Sequence, residues 1–147
     1  MKKIFLFLLV IIAIGCTDKK ERHIYKACKE IISKTRANEI DNFTPYLMVT
    51  EDTLCHDSII YKVTFEICQN GETNIFFTDY KIIDDIYVLL LQKNKEKHLI
   101  TPIMKEELYN WGGGINFETS FYFLKLSQST FKYTITEVPW WEWDLWK

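Results

Sequence analysis

The sequence predicts an α+β domain in which one N-terminal helix packs on a curved antiparallel sheet, and three observations carry that reading. Apolar residues recur at intervals of three and four at Ile24, Ala27, Cys28, Ile31 and Ile32, the signature of an amphipathic helix. Further on the period changes to two, with Ile59, Tyr61, Val63, Phe65 and Ile67 alternating with Lys62, Thr64 and Glu66, as on a half-buried strand. The connections between these runs are short, which suits antiparallel neighbours.

The helix is predicted over residues 23–37, with Lys26, Lys29, Glu30 and Lys34 opposite its apolar face, so that it needs a partner surface. Tyr46-Leu47-Met48-Val49 is the first expected strand, and residues 58–68 the second. Asn70-Gly71 then marks a two-residue hairpin, because both central residues of a type I′ turn need positive φ. Counting outward from it sets Phe65 against Phe76, Val63 against Thr78 and Tyr61 against Tyr80 on a core-facing side. Residues 86–92 form a nearly continuous apolar run, expected of a central strand, and Asn94-Lys95-Glu96-Lys97 turns into His98-Leu99-Ile100. Thr101-Pro102 starts a short helix, a capping hydroxyl followed by proline at the first helical position. Met104, Leu108 and Trp111 lie on one side of it, and Gly112-Gly113-Gly114 ends it. Two last strands, 119–126 and 130–138, join near Ser127-Gln128-Ser129. The second alternates Phe131, Tyr133 and Ile135 with Lys132, Thr134 and Thr136, which is a one-sided sheet strand.

A helix on such a sheet is similar in layout to the cystatin-like and NTF2-like folds, an analogy of arrangement that no residue motif supports. A small lipocalin-like β-barrel is the alternative, since strand count alone does not separate the two.

The chain opens with Met1-Lys2-Lys3, an 11-residue apolar run from Ile4 to Ile14, and Gly15-Cys16. That tripartite order is a secretory signal, and the run is too short for a bilayer span of about 20 residues. Ala13-Ile14-Gly15-Cys16 resembles the lipobox of bacterial lipoproteins, with alanine where the family more often has leucine. The resemblance implies cleavage before Cys16, a diacylglyceryl group on its sulfur and a further acyl chain, such as palmitate, on its amine; stable anchoring takes at least two chains. Thr17, in place of Asp, implies the outer membrane in enteric bacteria. The expected organisation is therefore a removed signal at 1–15, a lipidated tether at 16–22 and one domain at 23–147. Removing the signal leaves 132 residues, 16 lysines and arginines against 20 acids, a net charge of −4. With 48% apolar and 16% aromatic residues in the whole chain, a core is within reach. Mild acidity without a basic patch argues against nucleic acid as a partner.

An exported address permits disulfides. If residues 58–68 form one strand, Cys55 and Cys68 stand on the order of 35–40 Å apart, against about 6 Å between the Cα atoms of a disulfide. The expectation is a Cys28–Cys55 pair, against three free buried thiols. No cysteine pair has CxxC spacing and His23, His56 and His98 are scattered, so no metal site and no cofactor are expected.

Cys55-His56-Asp57 contains the parts of a nucleophile site, but adjacent side chains on an extended chain point opposite ways. Asp84-Asp85 reads as turn chemistry, and Glu106-Glu107 as a solvated helix face. No catalytic residue is assigned and no enzyme is expected. The tail is distinctive: Trp140, Trp141, Trp143 and Trp146 fall in the last eight residues, and such rings suit a closing flap, a sugar-stacking platform or an interface. With Trp111 they are the candidate binding residues. The expected function is a lipid-anchored, non-enzymatic envelope module that binds a glycan or a protein; the alternative is an inhibitor or immunity-type lipoprotein that blocks an envelope enzyme or toxin.

Overall fold

The computed structural model describes residues 19–35, 46–66, 74–108, 121–139 and 141–142. Helix α1 covers 19–35, and the five residues that define its expected apolar face are all fully buried. It starts inside the stretch expected to be tether. Lys19, Lys20, Glu21 and Arg22 are good helix formers, and Glu21 is fixed by Lys95 Nζ at 2.5 Å, so tertiary contact extends the helix toward the N-terminus.

The sheet has six strands: β1 (Tyr46–Cys55), β2 (Ser58–Glu66), β4 (Asp79–Ile83), β5 (Ile86–Leu91), β7 (Phe121–Ser127) and β8 (Tyr133–Val138), in the order β4-β5-β1-β2-β7-β8. It does not close into a barrel, which removes the lipocalin-like alternative. Four of its pairings are antiparallel, but β1 and β5 run parallel, Leu47 lying opposite Val88 and Thr50 opposite Leu91. The wholly antiparallel sheet expected from the short connections is thus corrected: direct hairpins enforce antiparallel pairing only between consecutive strands, and β1 and β5 are not consecutive.

The register expected around Asn70-Gly71 is also not formed. The dipeptide itself lies outside the described residues, but Phe65 pairs with Leu47 and Val63 with Val49, while Phe76 pairs with Leu99 in a separate two-stranded ribbon of β3 (Phe76–Phe77) and β6 (His98–Leu99). Both edges of β2 are taken, one by β1 and the other by β7, which leaves none for a following strand. The Asp84-Asp85 reading holds: with φ of 49° and 64°, the two residues make the tight turn between β4 and β5, Ile83 opposite Ile86.

Two cores lie on the two faces of the sheet. On the first, α1 covers Leu47, Val49, Tyr61, Val63, Val88, Leu90 and Leu124. On the second, Tyr46, Tyr87 and Leu89 meet Phe77, Ile100 and helix α2 (Pro102–Leu108) through Met104 and Leu108. Strand β5 is buried on both faces, the reason its sequence is continuously apolar instead of alternating. Helix α2 begins as expected, with the Met104 N–H donating to Thr101 Oγ1 at 3.2 Å.

Candidate ligand cleft at the head of the first helix

Strand directions bring four separate segments to one end of the sheet. β1 and β5 both finish there, the β1–β2 and β7–β8 turns lie there, and α1 presents Lys20, Glu21 and His23. The end of β1 carries a bulge: Glu51 faces Tyr61 and the next pair is Thr53 with Ile60. Bulges bend a strand and re-aim its side chains; here Glu51 Oε2 accepts from the Lys93 N–H at 3.1 Å, and the Asp52 carbonyl accepts from the Lys93 ammonium.

Between these segments opens a cleft of about 330 Å³, with Ile59, Leu126 and Phe131 as its apolar surfaces and Lys20, Lys95 and Gln128 among its polar ones. The His23 ring stacks on Phe131, centroids 5.6 Å apart and planes at 12°. Lys95 is held by Glu21. Lys20 Nζ stands 6.0 Å from the centroid of the fully buried Tyr61 ring, at the limit for cation–π attraction. Burial holds the Lys20 ammonium below the ordinary lysine value; the Glu51 carboxylate opposes this, Lys95 adds to it and Glu21 opposes it. Burial also raises the Tyr61 phenol, with Glu51 reinforcing and the Gln92 amide opposing. Among the described residues, the Tyr61 hydroxyl and both amide atoms of Gln92 are buried without a hydrogen bond.

One corner of this end is clipped by Asp57. Its carboxylate accepts from Ser129 Oγ at 2.5 Å, Ser127 Oγ at 2.7 Å and the Ser129 N–H at 3.3 Å, and its carbonyl accepts from the Gln128 N–H at 2.7 Å. The Ser129 and Ser127 hydroxyls hold the carboxyl below its ordinary value of 3.8, against a small effect of burial. A carboxyl whose folded-state value is depressed adds stability above its unfolded value, and this is lost as pH falls through the folded one. The urea midpoint of Asp57→Asn is therefore expected to lie below wild type near neutrality and to converge on it as pH drops through and below about 4; a constant gap from neutral to acid pH would show that the charge is not what clips the turns.

The same geometry accounts for Cys55-His56-Asp57. His56, at φ 53°, and Asp57 form the turn between Cys55 and Ser58, and Asp57 is engaged with the serines of the neighbouring turn. The expected Cys28–Cys55 disulfide is not formed: Cys28 is a free thiol buried beneath α1 and Cys55 a free thiol exposed at the strand end. Burial pushes the Cys28 thiol up to about 12, so it stays protonated and inert. A helix residue committed to the core face cannot also reach a strand terminus in solvent. Among the described residues no three His, Cys, Asp or Glu side chains gather to hold a metal ion, and no helix is long and apolar enough to cross a membrane.

Of the candidate binding residues, Trp141 is described. It is 66% exposed in a short turn closed by the Glu142 N–H on the Pro139 carbonyl at 3.0 Å. Cys16, Trp111, Trp140, Trp143 and Trp146, like Cys68, lie outside the described residues. The sequence reading missed the cleft altogether. The sequence places Lys20 in a tether and Lys95 in a turn, and no local pattern joins them, because their proximity is a product of strand order. Comparison with protein-family models, with curated proteins and with solved structures returns no match.

Proposed function

We propose that this chain is a bacterial envelope lipoprotein, anchored by lipid on Cys16 to the membrane (the outer membrane where the organism has one), and that its domain is a non-enzymatic binding module. The layout of a helix across a sheet supports a likeness to cystatin-like and NTF2-like folds, with the parallel β1–β5 contact as a departure from a simple antiparallel meander. The observation that carries the proposal is the cleft at the head of α1. It is concave, mixed in polarity and within the size range of ligand sites, about 300–1,000 Å³, and it opens at the head of α1, the described element that follows the lipobox-like cysteine in sequence. The absorption of Asp57 into a clip between turns, with Cys55 left at an exposed strand end, supports binding over catalysis.

Two variants test it in the producing bacterium. Cys16→Ala is expected to abolish palmitate incorporation and to release the protein from the membrane fraction; an alanine variant that still takes label refutes the anchor. A photo-crosslinking residue at Gln128, on the cleft, is expected to give a discrete envelope adduct that the same residue at Lys34, on the exposed face of α1, does not. Equal adducts from both positions, or none from Gln128, refute the cleft as the binding site.

A further inference from the structure

We infer that the cleft holds a small amphipathic anion, with the Lys20 ammonium taking a carboxylate or phosphate head and Ile59, Leu126 and Phe131 taking a hydrocarbon tail. This rests on the reading of the cleft as the domain's binding site and adds the chemistry of what it binds.

The two lysines of the cleft are not equivalent. Lys95 has its counter-ion, the Glu21 carboxylate at 2.5 Å, and this pair ties the loop after β5 to α1 as a wall. Lys20 is partly buried and makes no ion pair among the described residues; the Glu51 and Glu21 carboxylates act on it only from longer range, and the face of Tyr61 lies beneath it. A partly desolvated ammonium is costly without a partner. Within a low-dielectric recess an incoming anion is worth more than on the open surface. The charge thus specifies the head of the ligand.

The rest of the cleft specifies its body. Ile59 and Leu126 are at most 6% exposed and belong to the first core, so the recess is floored by the core itself. Phe131 is held on edge of the recess by its stack on His23, at a φ of 57° that only the surrounding turn sustains. A wholly polar anion such as inorganic phosphate would leave the half-buried Phe131 ring uncovered, and a neutral sugar would leave Lys20 without an ion-pair partner. A head and tail on one molecule satisfies both. The location agrees: Lys20 follows Cys16 by four residues, a reach of at most about 14 Å, so in a chain lipidated at Cys16 the cleft lies close to the membrane surface, where acyl-chain anions are concentrated. A free fatty carboxylate and the head region of an acidic phospholipid share this chemistry.

Trace acetylation of the full chain, held in neutral maltoside micelles and read lysine by lysine by mass spectrometry, tests the inference. Octanoate or octyl phosphate is expected to slow Lys20 acetylation several-fold while Lys29 and Lys34, exposed on α1, react unchanged. Inorganic phosphate and octanol, head and tail alone, are expected to protect far less. Octanoate is also expected to slow Lys95, which lines the cleft, and this protection is expected to be lost in Lys20→Met. Unchanged Lys20 reactivity with both anions, or protection by octanol equal to that by octanoate, overturns the proposal. In lipid nanodiscs, protection of Lys20 by phosphatidylglycerol beyond that by phosphatidylcholine identifies a bilayer source; protection by free octanoate alone identifies a soluble one. A Cys16→Ala chain that keeps octanoate protection yet stays in the membrane fraction would sink the anchor and spare the cleft assignment, whereas a labelled, membrane-bound chain with no Lys20 protection sinks the cleft assignment alone.

Discussion

Ile31→Ala is expected to cost the domain about 2–5 kcal/mol, the range for truncating a fully buried branched side chain where the site relaxes little. Ile31 is fully excluded from solvent and lies in the larger core with Ile24, Cys28 and Ile32 on its own helix and Leu47, Val63, Val88 and Leu124 on four strands of the sheet. The cavity would therefore open between two rigid layers, not at a free edge. Against a total stability of about 5–15 kcal/mol for a domain of this kind, that loss is large enough to unfold a sizeable fraction of the protein at elevated temperature. Lys34→Ala, one turn on and exposed, is expected to change stability by no more than about 0.5 kcal/mol. Urea unfolding of the full chain in neutral detergent, followed by tryptophan fluorescence and far-ultraviolet circular dichroism, gives both values. A loss below about 1 kcal/mol for Ile31→Ala would mean that α1 is not seated on the sheet as described, and the cleft at its head would lose its wall as well.

That helix was the most legible part of the fold, because five apolar residues at helical spacing can be buried in only one way. The strands were legible for the same reason, and so were the turns whose residues carry their own signal, such as Asp84-Asp85 and Thr101-Pro102. Partnership between strands was not. Asn-Gly is a strong local cue, yet Phe65 meets Leu47 and not Phe76, because the edges of β2 are filled by β1 and β7, partners that no single turn specifies. The parallel contact of β1 with β5 was invisible for the same reason. The cleft inherits this blindness. Lys20 and Lys95 are 75 positions apart, Ile59 and Phe131 come from two further segments, and each alone reads as an ordinary charged turn or core residue. What the sequence offers toward the proposed function lies in its first sixteen residues, where the resemblance to a lipobox rests on a short linear pattern that needs no fold to be read.

Gln92→Met is expected to raise stability by about 1–3 kcal/mol, the cost of keeping a buried amide without hydrogen-bond partners. Gln92 is 2% exposed, and among the described residues neither its Oε1 nor its Nε2 makes a hydrogen bond, the Tyr61 phenol being its polar neighbour. Its backbone is secured independently: the Gln92 N–H donates to Thr78 Oγ1 at 3.1 Å, and that hydroxyl donates to the Leu90 carbonyl at 2.8 Å. Methionine keeps the length and flexibility of the side chain while removing both polar atoms, so the substitution isolates the amide. The neighbouring Tyr61 hydroxyl, also buried without a hydrogen bond among the described residues, supplies the second corner of a double-mutant cycle. If the two groups are independent, the gain from Tyr61→Phe adds to that from Gln92→Met within about 0.5 kcal/mol; a double variant that gains more than the sum by a larger margin measures the attraction that the amide and the phenol retain at their present separation. A loss of stability in Gln92→Met would instead show that the amide is satisfied in solution. The functional reading follows from pairing this cycle with Lys20 acetylation, because Tyr61 is the ring beneath the Lys20 ammonium. A stabilised Gln92→Met protein whose Lys20 is no longer protected by octanoate would show that the amide is kept, at a cost in stability, to hold the polar end of the cleft in order; a stabilised protein with protection intact confines the ligand to the outer walls formed by Lys20, Ile59, Leu126 and Phe131.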